Sequence, residues 1–401
     1  MLIVHKYGGT SVGSLDRIES VASRVARAKR DGNDLVVVVS AMSGETNKLT
    51  DFAKHFSENP SKREMDMLLS SGERVTAALL AIALQEMGVD AVAMTGRQAG
   101  IKTDSMHTYA RIYSIDPTAM RTEVALGKVV IVAGFQGINE NGAVTTLGRG
   151  GSDLSAVAIA GALNADACEI YSDVDGIYTT DPRIEPKAKK MDFISYDEML
   201  ELASLGAKVL QNRSVELAKK LKVKMIAKSS FSEAEGTVIG EESSDMEAVL
   251  VSGIALDRNQ ARVTIREVSD RPGIAAEIFT ELAEENINVD MIIQNASSDG
   301  TTNLGFTVPS SESSRAKAVI KAFDHDIGTM DFDDSVCKVS VVGVGMKSHS
   351  GVAATAFSAM AKENINIEMI STSEIKISMI ISEKYAELAV RTLHSVYELD
   401  A

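Results

Sequence analysis

Only two cysteines occur in 401 residues, Cys168 and Cys337. So few, so far apart, exclude a disulfide framework and a thiolate metal cluster, and they imply a reducing cytoplasmic setting. Basic residues are also scarce, with 41 Lys plus Arg against 56 Asp plus Glu and a net charge of −15. That balance excludes general binding to a nucleic-acid backbone, which needs a basic face. Any anionic ligand must be held by a few local cations and backbone amides. Long apolar runs are missing as well: Val75 to Leu84 and Leu154 to Leu163 stay under the roughly 18 residues needed to cross a bilayer. Met1 to Val4 shows no basic n-region or apolar h-region of a signal peptide, so no membrane partner is expected.

What is present suits a compact fold. Hydrophobic residues make up 45% and charged residues 24%, and the length allows two to four domains. Up to about residue 230, short β-branched runs alternate with helical stretches. Leu2 to His5, Leu35 to Ser40, Val89 to Met94, Val129 to Gly134 and Cys168 to Ser172 are the candidate strands. Such alternation predicts an α/β fold with a mainly parallel sheet covered by helices on both faces and ligands at the strand C-terminal ends.

Between about Ser229 and Met246 periodicity gives way to Ser, Glu and Gly, the best domain boundary in the chain. Beyond it the sequence repeats. Asp270-Arg271-Pro272-Gly273-Ile274, a helix and Glu285-Asn286-Ile287-Asn288-Val289-Asp290-Met291-Ile292 recur 78 residues later as Gly351-Val352, a helix and Glu363-Asn364-Ile365-Asn366-Ile367-Glu368-Met369-Ile370. Each copy reads strand, loop, helix, strand, strand, helix. Copy one has strands at Arg262 to Val268, Thr302 to Val308 and Thr329 to Phe332. The apolar run Val249 to Leu256 precedes copy one without a place in it, and its expected place is the sheet of copy two. The expected spans are 1–240 for a first domain, 249–260 for that leading strand, 261–335 for copy one and 336–401 for copy two.

Two glycine loops carry the chemistry. Lys6-Tyr7-Gly8-Gly9-Thr10-Ser11-Val12-Gly13 follows the first strand, where close backbone approach, a helix N-terminus and Lys6 can cradle an anion. It is not a Walker A loop, and a plain tight turn is the competing reading. Thr146-Leu147-Gly148-Arg149-Gly150-Gly151-Ser152-Asp153 precedes a helix of small residues. Here Asp153 can orient lysines or simply cap the helix, and Arg149 offers a planar fork to a carboxylate. The third segment, Tyr171 to Arg183, is rich in turn residues but lacks EF-hand spacing, so a calcium cage is not expected.

Lys6-Tyr-Gly-Gly-Thr-Ser, Val39-Ser40-Ala41-Met42-Ser43-Gly44, Ser71-Gly72-Glu73, Gly134-Phe135-Gln136-Gly137, Gly148-Arg-Gly-Gly-Ser-Asp153 and the Tyr171 to Arg183 run together resemble the aspartate kinases of the amino-acid-kinase superfamily. Tyr7 stands where that family more often has Phe. The repeat resembles its paired ACT domains, βαββαβ modules. The resemblance implies phosphorylation of the aspartate β-carboxylate by ATP. That carboxylate is ionised at neutral pH, with a reference pKa of about 3.9, so no general base is required.

By resemblance, Lys6, Asp153 and Lys208 are catalytic. Lys6, Gly8, Gly9, Ser172, Asp173, Tyr178, Arg183, Lys208 and Val209 bind the nucleotide, with Mg²⁺ carried mainly by ATP. Ser40, Thr46, Glu73, Arg149, Gly150, Gly151 and Ser152 bind aspartate, Arg149 taking its α-carboxylate and Glu73 its ammonium. Effector positions are Asp270, Gly273, Ile274, Asp290 and Gln294 in copy one, and Val352, Asn366, Ile367, Ser373 and Glu374 in copy two. Ser350 replaces a usual Pro beside the second set.

The resemblance also implies inhibition by Lys, Thr or both, and a homo-oligomer formed through the ACT domains. A start at Met246 would give a regulatory-only subunit. The competing readings are another carboxylate kinase, such as a glutamate kinase, and an amino-acid sensor with an inactive kinase domain. Lys6→Ala is expected to remove activity with little loss of stability.

Overall fold

The structure, a computed structural model, describes residues 1–204, 210–242, 251–296, 300–323, 327–344, 346 and 351–400. It divides into two compact units. One comprises Met1–Ile177, Lys190–Ala203 and Lys208–Met246; the other comprises Tyr178–Lys189, Ser204–Ala207 and Glu247–Ala401.

Among the described residues, twelve strands belong to the first unit: β1 Leu2–Tyr7, β2 Asp34–Val39, β3 Ala91–Met94, β4 Ile101–Thr103, β5 Ile112–Ile115, β6 Val129–Ala133, β7 Gln136–Ile138, β8 Val144–Thr146, β9 Ala167–Ser172, β10 Phe193–Ser195, β11 Met225–Ser229 and β12 Thr237–Gly240. Eight of them form one sheet in the order β10-β12-β11-β9-β1-β2-β6-β3. All its neighbours are parallel except β11 and β12. The sheet is buried on both faces, which is why β2 and β6 read as unbroken apolar runs. Ile3, Tyr7, Leu35, Val37, Val39 and Ile131 pack on the helices Leu15–Arg30 and Ser71–Glu86. Helix Gly151–Leu163 packs on β1, β2 and β9, and its own residues are almost all buried.

A second sheet, ordered β5-β4-β7-β8, was not foreseen. Its strands have only three or four residues, too few for a period-two pattern to register. The expectation of no bilayer-length apolar segment is also corrected. Helices Lys62–Leu69 and Ser71–Glu86 run on from each other, and Lys62–Glu86 is long and apolar enough by length and composition to cross a membrane. Leu80 and Leu84 within it are fully buried in the first unit's core, while Val75 and Ile82 are exposed.

The second unit holds one six-stranded sheet, order β14-β15-β13-β16-β18-β17, from β13 Gly253–Ser269, β14 Ile292–Ala296, β15 Thr301–Val308, β16 Thr329–Val342, β17 Ile367–Thr372 and β18 Lys376–Ser382. Gly253–Asp257 pair with Lys338–Val342, while Ala261–Ser269 pair with Thr301–Val308. The run before copy one and the first strand of copy one are therefore one continuous strand. No proline or glycine breaks it; register shifts at Gln260, beside the Asp257–Asn259 turn, let it bend instead. The short strand expected at Thr329 to Phe332 likewise continues to Val342. Gly273 and Gly351 repeat the same geometry, each in the left-handed region (φ 101° and 116°) just before a helix of 11 residues.

Candidate active site

Strands β9, β1, β2 and β6 are consecutive neighbours, so the loops leaving their C-terminal ends converge. Lys6 is the penultimate residue of β1 and alternates to the face covered by helix Gly151–Leu163. Its Nζ lies 2.6 Å from Asp153 Oδ1 in the first turn of that helix, with side chains only 10% and 11% exposed. The contact is an ion pair without hydrogen-bond alignment, since Asp153 Oδ1 has no aligned donor among the described residues. The glycine turn after β1 is tied to β9, for Gly8 N–H donates to Tyr171 O at 3.1 Å and Ser11 N–H to Gly8 O at 2.9 Å.

The second glycine loop meets Lys6 from above. Gly150 has φ 70°, and a Cβ there would stand 2.4 Å from Gln211 Cγ, so any side chain would be strained and would push Gln211 aside. This tight entry sets the helix N-terminus, with its positive dipole end, at the mouth of a cavity of about 270 Å³. Lys6, Ser40, Thr46, Glu73, Arg149 and Asp153 line it, with backbone from 41–44 and 148–151. It is smaller than the usual ~300–1,000 Å³ of drug-sized clefts, as a small metabolite requires.

Glu73 supplies the unusual group. Gly72 brings its helix against Ala41, since a Cβ at 72 would sit 2.8 Å from Ala41 Cβ. Glu73 is 4% exposed; its Oε1 accepts from Ala41 N–H at 3.1 Å, and its Oε2 has no partner among the described residues. Burial pushes its carboxyl up to about 7 against the opposing pull of the backbone donors at Glu73 and Ala41. Arg149 is exposed at the rim and makes no ion pair with a described residue. A buried lone acceptor, an open guanidinium fork and a buried ammonium thus surround one space. Together they match a ligand bearing an ammonium and a carboxylate beside a second anion.

Of the nucleotide set, Ser172 ends β9 and Asp173 follows it, beside β1. Ser172 O receives Ser230 N–H at 2.9 Å and Ser230 Oγ at 2.8 Å. Tyr178 and Arg183, although expected within the span 1–240, lie in a segment grouped with the second unit. There Ile254 N–H donates to Thr179 O at 2.7 Å, and Thr179 Oγ1 meets His394 Nε2 at 2.9 Å. Arg183 is 90% exposed and clamped by Asp181. Lys208 and Val209 lie outside the described residues, as do Met246 and Ser350.

Sequence reasoning missed several contributors. Phe135, at φ 68°, lines the cavity. Gln211 closes over Gly150. Behind β1 a buried network joins His5, Glu169, Tyr171 and Lys228: Glu169 Oε2 lies 3.2 Å from His5 Nε2 and accepts from Tyr171 Oη at 2.6 Å, while Lys228 Nζ donates to Glu169 Oε1 at 3.1 Å. Polar residues alternating within otherwise apolar strands were its sequence signal. Among the described residues no group of three His, Cys, Asp or Glu side chains converges to hold a metal ion.

The proposed effector residues divide. Asp270 follows β13, its N–H donating to Gly300 O at 3.1 Å, and Gly273 and Ile274 open the next helix. Gln294 lies on the edge strand β14. Asp290 precedes β14, and the strand register puts it toward the end opposite the Asp270 turn. It is held by Lys338 of β16. In copy two Val352 begins a helix, while Asn366, Ile367, Ser373 and Glu374 flank or begin β17, the opposite edge of the same sheet.

Comparison with known proteins agrees with this architecture. The amino acid kinase family model matches residues 1–228, and the ACT domain model matches 266–323 and 339–397. The chain is thus an amino acid kinase joined to ACT domains. An aspartokinase of Helicobacter pylori is 59% identical over 404 residues, covering 100% of both chains. The crystal structure of E. coli aspartokinase III in complex with aspartate and ADP (R-state) superposes with a TM-score of 0.80 at 26% identity, covering 99% of each chain. Its complex with lysine and aspartate (T-state) gives 0.78 at 26% identity, covering 98% of this chain and 99% of that one. The chain belongs to the aspartokinase family, and its activity is that of an aspartate kinase.

Proposed function

We propose that the chain transfers the γ-phosphoryl group of ATP to the β-carboxylate of L-aspartate, giving 4-phospho-L-aspartate, the first step toward Lys, Thr and Met. The observation that carries this reading is the cavity in which the unpaired Glu73 Oε2 and the open Arg149 fork accompany the Lys6–Asp153 pair. Glu73 receives the substrate ammonium and Arg149 its α-carboxylate. Thr46, Ser40 and the Gly150–Ser152 backbone fill the remaining contacts. The β-carboxylate then points at Lys6, the glycine turn and the helix N-terminus, which neutralise the charge that spreads over the transferred phosphoryl oxygens. No proton has to be removed, so no general base is needed.

Ser172, Asp173, Tyr178, Arg183, Lys208 and Val209 complete the nucleotide site. Mg²⁺, carried mainly by ATP, would supply further charge neutralisation. In domain terms, 1–240 form the catalytic domain, 249–260 the leading strand, and 261–335 and 336–401 the two ACT domains. These bind Lys, Thr or both as feedback inhibitors and join copies of the chain in a cytoplasmic homo-oligomer. A start at Met246 gives a regulatory-only subunit. The binding of aspartate, ADP and lysine by the E. coli relative supports the same classes of ligand here.

The test is purified protein with ATP, Mg²⁺ and hydroxylamine, scoring acyl hydroxamate. Aspartate is expected to give product and glutamate little. Product from glutamate alone would make the chain a glutamate kinase, and none from either would make it a sensor. Adding Lys, Thr and both identifies the effector.

A further inference from the structure

Asp66 is fully buried, at 0% exposure, and is the one buried residue of helix Lys62–Leu69. Buried carboxylates are costly unless every acceptor site is filled, and this one is filled from a distant loop. His107 Nδ1 lies 2.6 Å from its Oδ2. Thr108 N–H donates to Oδ1 and Oδ2 at 3.0 and 3.1 Å, and Thr146 Oγ1 donates to Oδ1 at 2.5 Å. Thr108 is held at φ 69°, a conformation that β-branched residues rarely adopt and that needs outside support.

This arrangement reaches both charges of the proposed substrate site. Thr146 stands three residues before Arg149, and its carbonyl accepts from Ala110 N–H at 2.9 Å. Arg213 braces the same loop, donating to Leu147 O at 2.7 Å and to Ala110 O at 3.0 Å. On the other side, Asp66 O accepts from Ser70 N–H at 3.0 Å, three residues before Glu73. A second tie runs parallel to the first: Gln136, paired with Thr146 across β7 and β8, donates from Nε2 to Ser70 O at 2.9 Å.

We infer that Asp66 is a positioning residue for aspartate recognition: its carboxylate, bonded to Thr108 and to Thr146 at the end of β8, fixes the spacing between Arg149, three residues beyond Thr146, and Glu73, further along the same run of helix as Asp66. The inference rests on the assignment of Glu73 and Arg149 to the substrate. A yoke of this kind sets the length of amino acid accepted, because glutamate differs from aspartate by one methylene. It leaves the nucleotide untouched.

The experiment measures KM for aspartate and for ATP, the aspartate-over-glutamate preference and the thermal midpoint in Asp66→Asn and Thr146→Val, with Arg149→Lys in parallel. Loss of a fixed spacing is expected to raise KM for aspartate about tenfold or more and to erode the preference, with KM for ATP within about twofold. Thr146→Val, which removes one hydroxyl, decides the matter if Asp66→Asn does not fold. If Arg149→Lys raises the aspartate KM while Thr146→Val and any folded Asp66→Asn do not, or move both KM values together, the positioning role is overturned and the substrate site stands. An unchanged aspartate KM in Arg149→Lys overturns the site reading, and this inference with it.

Discussion

Lys6 Nζ and Asp153 Oδ1 face each other at 2.6 Å across the seam between β1 and helix Gly151–Leu163, nine-tenths withdrawn from water. An ammonium so placed is neutralised before any phosphate arrives, so an incoming nucleotide shares an existing charge pair. The pairing also binds stability to catalysis at one point.

Lys6→Ala is therefore expected to abolish turnover, by about 10³-fold or more, and also to destabilise the protein. It strands a buried carboxylate, a defect that typically costs about 3 kcal/mol or more. The sequence alone suggested little loss of stability; the burial of Asp153 reverses that expectation. Adding Asp153→Ala should return part of the stability and none of the activity. Urea denaturation of the single and double variants checks this, and equal stability of Lys6→Ala and the parent would refute it.

With the substrate role proposed for Glu73, aspartate binding becomes a protonic event. Its carboxyl ionises near 4.5 in the unfolded chain but only near 7 in the fold, where burial opposes the charge. Between those values the folded state holds a proton that the unfolded state has lost, so stability declines as pH rises across that window. An ammonium docked on Oε2 favours the ionised form, so aspartate binding should release a proton at pH 6 and hardly any at pH 8. Calorimetry in buffers of different ionisation enthalpy reads the release directly. KM for aspartate should fall over the same interval, and Glu73→Gln should flatten both dependences.

The residues proposed to recognise the substrates could be picked out because each announces itself locally. Lys6, Glu73, Arg149 and Asp153 stand within two residues of a glycine, at the ends of apolar strands or the starts of apolar helices, where a loop must approach a ligand. What stayed hidden depends on distant pairing. Asp66 meets Thr146 across 80 residues of sequence, and in the one-dimensional text it looks like an ordinary helix-surface acid. Tyr178 and Arg183 fall with the second unit, where Ile254 N–H donates to Thr179 O and Thr179 Oγ1 meets His394 Nε2, pairings that no local pattern encodes. The repeat, by contrast, gave the six-stranded sheet most of its strands but not the fusion of two of them into β13.

Glu169 should govern acid stability. Burial raises its carboxyl, but the hydrogen bond and charge of His5, the Tyr171 hydroxyl and Lys228 overcome that and hold it down to about 2. A carboxyl lowered on folding stabilises above its unfolded value near 4.5 and loses that contribution as pH falls toward 2. Glu169→Gln is expected to cost about 2 kcal/mol at pH 7 and to lessen the acid dependence of the thermal midpoint. A parent-like acid profile in the variant would remove Glu169 from the explanation.

Asp290, a proposed effector position, is engaged by Lys338, whose side chain is 4% exposed while that of Asp290 is 45% exposed. A ligand ammonium approaching Asp290 thus competes with a lysine already in place. Lys338→Met removes the competitor and puts an apolar chain of similar length where an ammonium was held out of water at a desolvation cost. Asp290, nearly half in water, tolerates the loss of its partner. The expected outcome is unchanged activity without effector, an unchanged or higher thermal midpoint, and inhibition at lower effector concentration. Asp290→Asn should do the reverse, weakening inhibition and destabilising the fold, because it leaves Lys338 buried without its counter-charge. Asp270→Ala, which strands no buried charge, should weaken inhibition without that loss of stability. Inhibition curves with Lys, Thr and both, taken beside thermal melts, separate these effects. Superimposable curves for Lys338→Met and the parent would show that Asp290 serves the fold alone.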